Sequence, residues 1–469
     1  MERIISRTLD NVLSGMKAGF KSILNYEHPF ERKKMFNLKS NSKLSVTLLA
    51  LIMGAIFILC SPAAAKAKTT ELTVSVFVGL HEELLQTMAS KWNKMHPDNQ
   101  IELEVEVIQY LDMHTKLLLQ LQSGTGAPCL SDIETSQFPN FLKGKKENIQ
   151  LVSLNDIIKP VEDNFIKSRL GLYAKDGVYY GTPYHVGAAV MYYNKEILDK
   201  AGINAEDIVT WDDFVAAGKK LKSKTGLPMM TVETSDDWTI HPIVTSRKSG
   251  FLDENLNPIV DNDVNVSTLQ FLHDLMYKLE IAVAAPGGMH HAEEYYAFMS
   301  QQKAAAVLMP IWYMGRFTEY MPDLKGKMIV RPLPKWGYDS FRSSGMGGTG
   351  TVITKQCEHI ELAKEFLTFS KLSKEASIEI WNTLGFDPPR WDVWPELKNH
   401  PNRFTEYFAN DFFAVLADIK DEIQSPNVGE LTPVIKSKML SGVLFDVLVK
   451  RTKTAKESLT DLANELKNQ

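Results

Sequence analysis

Apolar and polar positions change period several times along this chain, and those changes predict its elements. Glu71-Leu-Thr-Val-Ser-Val-Phe-Val78 is a short apolar, β-branched run that predicts a buried strand. From Gly79 to Trp92 the apolar positions take helical spacing, and Met95-His-Pro-Asp98 stops the helix. Ile101-Glu-Leu-Glu-Val-Glu-Val-Ile108 alternates strictly, which predicts a strand with one wet face at a sheet edge. Met113–Leu121 is helical again and ends at Gly124-Thr-Gly126-Ala-Pro128. Strand, helix, strand, helix, strand predicts a doubly wound α/β sheet, with ligands bound beyond the carboxyl ends of its strands.

The middle of the chain reads as a crossing between two such units. Asp176-Gly177 between apolar residues predicts a tight hairpin turn, because glycine accepts positive φ at little steric cost. Gly181-Thr-Pro183 then breaks the strand pattern before the apolar run Val186–Tyr193. A strand broken by Gly and Pro, with aromatics on both sides, suits a hinge, with Tyr184 and His185 facing a cleft. Leu198–Gly202, Asp212–Lys222 and Val266–Leu279 predict helices. Lys303-Ala-Ala-Ala-Val-Leu-Met-Pro-Ile-Trp312-Tyr313 predicts a strand ending in aromatics. Ser344-Gly-Met-Gly-Gly-Thr-Gly-Thr-Val-Ile353 predicts a second glycine-bent crossing. Glu361–Phe366 begins a helix of the first lobe, Asp387-Pro-Pro-Arg-Trp391 is expected as a surface loop, and the helical stretch from Asn402 is expected to return to the second lobe.

The segment from Asp176 to Lys195, followed by Asn194-Lys-Glu-Ile-Leu-Asp-Lys-Ala-Gly202 and Thr210-Trp-Asp-Asp-Phe214, resembles the family 1 extracellular solute-binding proteins. These are sugar receptors of ABC importers, of the maltose-binding-protein type. The resemblance spans nearly all of residues 69–469. It implies a two-lobe periplasmic-binding-protein-like fold (type II), each lobe a doubly wound sheet, joined by a hinge of crossing strands, with a sugar held between the lobes. Lobe I is expected over 69–183 plus about 354–400, and lobe II over 184–346 plus about 401–469. The hinge is placed at Pro183–Val186 and Gly345–Gly350. The 303–312 segment resembles the family's sugar-stacking strand, although Gln302-Lys303 stands where Gly-Lys is usual. Pro128-Cys129 stands where Pro-Asp is usual after the Gly-rich loop.

Composition narrows the ligand. The 469 residues carry a formal charge of −5. The first 65 hold nine Lys/Arg and four Asp/Glu, which leaves 43 basic and 53 acidic residues, a charge of −10, on the rest. Such a balance argues against nucleic acid or anionic lipid as the main ligand. Leu44–Ala65 is 22 residues without a charge, preceded by Lys39 and Lys43 and closed by Ala63-Ala-Ala65. That is a signal-peptide pattern, and Met35, just after Arg32-Lys-Lys34, is the expected start. Cys60 lies in the run behind Leu59 and Phe57, a poor match to a lipid-attachment site; lipidation, cleavage after Ala65 and an uncleaved anchor all stay open. Each places the folded part outside the cytoplasm, secreted or at the cell surface. Of the other cysteines, Cys129 and Cys357 are expected as two unpaired buried thiols rather than a bridge.

The candidate chemistry is aromatic. Sugar faces are apolar C–H surfaces edged by hydroxyls, so rings cover the faces while carboxylates and amides bind the edges. Trp238 and Trp312 are the expected stacking platforms, with Phe77 and Tyr184 next. Glu134 and His185 are expected to bind hydroxyls, with His81 after them, and Asp132, Asp237, Tyr313, Met346 and Gly347 complete the expected ligand-binding set. Trp92 and Trp211 are assigned to the core, and Trp391 and Trp394 to surface loops. Gly345-Met-Gly-Gly-Thr-Gly350 precedes a strand rather than a helix, so it is not a nucleotide loop. His290-His291 with Glu293-Glu294 is read as a solvated helix start, since adjacent helical residues do not form one chelating face. No cofactor, no metal and no catalytic set is expected; the expected partners are a sugar and a membrane ABC permease, and the expected state is a monomer. A carbohydrate-active enzyme, or the same receptor fold with a non-sugar solute, remain the competing readings.

Overall fold

The computed structural model describes residues 68–467. The expectations on Met35, the uncharged run and Cys60 lie outside the described residues. In chain order the strands are β1 (Lys68–Val76), β2 (Asn99–Val107), β3 (Leu130–Glu134), β4 (Ala174–Lys175), β5 (Val178–Tyr179), β6 (Gly181–Pro183) and β7 (Ala189–Asn194). After them come β8 (Met230–Val232), β9 (Ala282–Ala284), β10 (Ala306–Pro310), β11 (Met328–Arg331), β12 (Ser343–Ser344), β13 (Thr349–Ile353) and β14 (Ile423–Gln424). Seven of the helices matter below: α1 (Gly79–Met95), α2 (Tyr110–Ser123), α3 (Lys167–Gly171), α4 (Lys195–Ala201), α5 (Trp211–Thr225), α6 (Lys374–Leu384) and α7 (Thr432–Lys438).

Two five-stranded sheets result, ordered β2-β1-β3-β13-β6 and β11-β7-β10-β8-β9. Each is the centre of a lobe. In the first, β1 runs parallel to β2 and β3, and β13 inserts antiparallel between β3 and β6. Leu72, Val74 and Val76 of β1 are buried with Leu84, Leu85, Met88 and Trp92 of α1. The alternating segment forms the edge strand β2, as expected, and exposes Glu102, Glu104 and Glu106. Like charges along an open edge discourage pairing with another chain. Asp176 and Gly177 take φ of 50° and 72° in the two-residue turn joining β4 to β5.

The second sheet is covered on both faces. Along β7, Ala189, Met191 and Tyr193 enter one core cluster and Val190 and Tyr192 the other. Ala306 and Leu308 of β10 divide from Val307 and Met309 in the same way. The period of two places successive side chains on opposite faces, so a continuous apolar run is what a doubly covered strand needs. The segment from 402 supplies cover to both: Phe404, Phe408 and Leu416 join the core cluster that holds Tyr192, and Met439, Leu459 and Leu462 the one that holds Met191.

The motif that carried the resemblance is a pair of helix starts. Asn194 accepts from the Ile197 amide and caps α4, and Gly202 closes it in the left-handed region. Thr210 and Asp213 cap α5 reciprocally, which ties up amides that have no helical partner.

Three expectations are corrected. Cys129 and Cys357 are bonded to each other, not free thiols. The reason is topological: β3 and β13 are antiparallel with Leu130 opposite Ile353, so the start of one strand faces the end of the other. The Asp387-Pro-Pro stretch is buried rather than a surface loop, and Trp394 is 3% exposed, its indole donating to the Pro388 carbonyl. Trp391 is 39% exposed. His290 is fully buried, so the His290–Glu294 stretch is not a solvated helix start throughout.

Candidate functional site

A cleft opens where the carboxyl end of β3 faces the second lobe. Glu134, Thr135, Ser136, Arg169 and Leu172 line it from the first lobe; Asp237, Trp238, His241, Phe251, Ile435 and Lys436 line it from the second. Gly345 and Gly347 form part of its wall. Aromatic and aliphatic surface beside a few charged groups matches what a ligand cleft requires.

Glu134 ends β3 and is held in place locally. Its Oε2 accepts from Tyr110 Oη at 3.0 Å, from the Ser136 amide at 2.8 Å and from the Ser136 hydroxyl. Tyr110 opens α2, where burial and the Glu134 charge push its hydroxyl pKa up. Opposite stands Trp238. Its amide donates to Glu233 Oε2 at 3.0 Å and its indole N–H to Asp236 Oδ2 at 2.9 Å. Glu233 also accepts the His290 amide at 2.7 Å. Burial, with Asp236 nearby, raises Glu233 far above the usual carboxylate range.

Trp238 and Trp312 meet edge to face, with centroids 5.1 Å apart at 80°. Trp312 donates to the Met346 carbonyl at 3.2 Å and stacks against His291 at 5.5 Å. Gly347 has φ 59°, and a Cβ there would lie 3.1 Å from the Trp238 ring, so a side chain would crowd this corner. Lys436 of α7 sits 5.0 Å over the Trp238 ring and 3.4 Å from Asp237. Burial opposes the Lys436 charge, but Asp237 and Asp236 outweigh it and raise its pKa. Burial would likewise raise Asp237, yet Lys436 and His241 hold it below the usual range. Asp236, pushed by burial and by Asp237 against the pull of Lys436, rises to about 6.

The structure thus brings Glu134, Asp237, Trp238 and Gly347 to one cleft, with Trp312 and Met346 directly behind Trp238. Phe77 stands back from it, edge-on to Tyr110 and His81. Tyr313 is buried in the second-lobe core and donates to the His290 carbonyl. Tyr184 and His185, expected to face the cleft, instead turn into a buried polar layer with His81 and Asp132. There His81 binds Asp132 at 2.8 Å and stacks on Tyr184 at 4.2 Å, while Thr351 donates to Asp132 at 2.7 Å. His185 packs against Phe386 instead. The physical reason is that β6 lies beside β13 in the sheet, so residues just past Pro183 are still covered by the first lobe.

Arg169, Lys436 and His241 were not foreseen, and they add basic groups to the cleft. Arg169 is fully buried, donating to the Gly347 carbonyl and, at 3.1 Å, to Ser425 Oγ. Nothing local marks it, since α3 spans only five residues.

Lys371 is the costliest member of the buried layer. It is fully buried over the Tyr184 ring, and its Nζ has no hydrogen-bond partner among the described residues. Burial drives its pKa well below the lysine range, against the pull of Asp132. The unfolded chain therefore binds a proton that the folded protein lacks, and stability should rise with pH between that lowered value and the ordinary lysine range. Lys371→Met should remove this slope and stabilise the protein by about 1–2 kcal/mol at neutral pH. Thermal melts at about pH 7 and about pH 9 check it; a variant that melts lower than the parent at both would refute it.

The sequence profile of the bacterial extracellular solute-binding proteins matches residues 79–376. An arabinooligosaccharide-binding protein of Halalkalibacterium halodurans is 50% identical over 391 residues, covering 83% of this chain and 87% of that protein. Its counterpart in Bacillus subtilis is 47% identical over 433 residues, covering 91% and 99%. Among solved structures, MalE of Xanthomonas citri has a TM-score of 0.71 at 17% identity, covering 84% of this chain and 96% of that one. The GacH receptor of Streptomyces glaucescens has 0.69 at 15%, covering 86% and 98%. Both share this fold.

Proposed function

The chain belongs to the bacterial extracellular solute-binding proteins, and on that premise we propose that it is an extracytoplasmic receptor that holds an arabino-oligosaccharide between its lobes and delivers it to an ABC permease. One observation carries the ligand class. Relatives at 50% and 47% identity, matched over most of their length, are named for arabino-oligosaccharides. The cleft chemistry agrees with a sugar. Trp238 offers a ring face, while Glu134, Asp237 and Lys436 offer charged partners for hydroxyls.

The working parts follow from the sheets. Lobe I is assigned 69–183 plus about 349–384, and lobe II 189–344 plus about 391–467, because β13 lies in the first sheet and Val393, Trp394 and Leu397 lie in the second-lobe core. Sugar binds one lobe first, and closure adds contacts from the other, so ligand shifts an existing open–closed equilibrium. The closed surface is what the permease would recognise. Phe77, His81, Asp132, Tyr184, His185 and Tyr313 then support the cleft from behind rather than touch sugar in this conformation.

Calorimetry with arabinotriose and, as a control, maltotriose tests this. Arabinotriose should bind with micromolar affinity or better, outcompeting maltotriose, and should be recovered intact. No heat of binding at millimolar arabinotriose would end the ligand assignment, and cleavage products would replace the receptor with an enzyme.

A further inference from the structure

Chain passes between the two sheets in three places, and they lie against one another. The first crossing, residues 184–188, joins β6 to β7, and the second, residues 345–348, joins β12 to β13. The third, residues 385–390, leaves α6, whose Ala376 and Ile380 belong to the first-lobe core, for Val393, Trp394 and Leu397 in the second-lobe core. Crossings one and two are tied by the Met346 amide donating to the Gly187 carbonyl at 2.8 Å.

Asp387 of the third crossing takes three successive amides of the first. Val186 donates to its backbone carbonyl at 2.9 Å. Gly187 donates to Oδ1 at 3.0 Å and Ala188 to Oδ2 at 2.8 Å. The side chain is fully buried. Amide bonds to a buried carboxylate are charge-assisted and stronger than neutral ones, and they restrain rotation of the peptide units that donate them. Arg169 does the complementary work on the second crossing, where it holds the Gly347 carbonyl. It reaches there only because Gly345 and Gly348 lack side chains; a Cβ at either would lie 2.6 Å from a guanidinium nitrogen.

We propose that Asp387 is the hinge pin of this receptor, a positioning residue that fixes Gly187 and Ala188 to the third crossing in both open and closed states and so excludes splayed arrangements of the lobes. Bending then falls on the residues either side of the pinned amides, and the lobes turn about one axis instead of splaying. The proposal deepens the receptor reading, on which its affinity arm rests; the scattering and exchange arms need no ligand.

Asp387→Asn separates pinning from packing, because it keeps the volume but presents one acceptor and one donor to two amide donors. Small-angle scattering of the unliganded variant should show a larger radius of gyration than the parent. Arabinotriose affinity should fall about 3- to 10-fold, because splayed conformations that the pin excludes would take population from the form competent to close. A variant whose unliganded scattering matches the parent would overturn the pin, even if its melting temperature drops. Should the variant fail to fold, hydrogen exchange of the unmodified protein decides. The Gly187 and Ala188 amides should be protected equally with and without arabinotriose, and rapid exchange without ligand would overturn the proposal. If arabinotriose does not bind the parent, the ligand assignment fails while scattering and exchange still judge the hinge.

Discussion

Trp238→Ala should lower arabinotriose affinity about 10- to 100-fold, corresponding to about 1.4–2.8 kcal/mol, while Trp238→Phe should retain most of it. The Trp238 ring is the most complete platform in the cleft. Its backbone is tied to Glu233, its indole to Asp236, and its edge rests on Trp312. A ring held this way loses little freedom when a sugar covers it, so burial of the sugar's C–H face appears almost fully as affinity. Alanine removes the surface and leaves the sugar face against water. Calorimetry reads the effect directly, and an affinity within twofold of the parent would mean that the sugar lies elsewhere. Because Trp238 also touches both second-lobe cores, the alanine variant should melt somewhat lower; the phenylalanine variant separates that loss from binding.

Breaking the Cys129–Cys357 bond should cost about 2–4 kcal/mol of stability. The bond joins residues 228 apart in sequence, so it closes most of the folded chain into a loop and removes many conformations from the unfolded state. A Cys129→Ala, Cys357→Ala variant and the reduced parent should both melt several degrees below the oxidised protein. Thiol titration of the native, unreduced protein should find neither cysteine reactive. Equal melting temperatures before and after reduction would contradict the pairing. The bond also joins the start of β3 to the turn after β13, near the base of the Glu134 strand. Its loss should therefore weaken sugar binding less than it weakens the fold.

Much of this was legible along the chain because it is local. Thr210 and Asp213 cap α5 within one turn, and Asn194 does the same for α4, so sequence spacing and structural contact coincide. Asp176-Gly177 makes its turn with its own dihedrals. The strict alternation of residues 101–108 placed β2 at an edge, because interior strands of a doubly wound parallel sheet are covered on both faces and leave no wet face for a row of glutamates. The place of Trp238 at the cleft was also legible, since a lone Trp in a polar stretch stands out from the core pattern. Asp387 was misplaced to the surface because Asp-Pro-Pro has the composition of an exposed turn, and only its amide partners 199 and 200 residues away reveal its burial.

By itself the sequence determined the α/β character, the order of strands and helices and the two glycine-bent crossings, each of which depends on period or turn chemistry within a few residues; the family came through the resemblance of the motifs between Asp176 and Phe214. Tertiary structure alone decided that Cys129 meets Cys357, that Lys436 returns from near the end of the chain to Asp237, and that Tyr184 and His185 lie behind the cleft. Those outcomes follow from the insertion of β13 between β3 and β6 and from the packing of late helices on the second sheet. A side chain carries no local signal of a partner that the fold brings from hundreds of residues away.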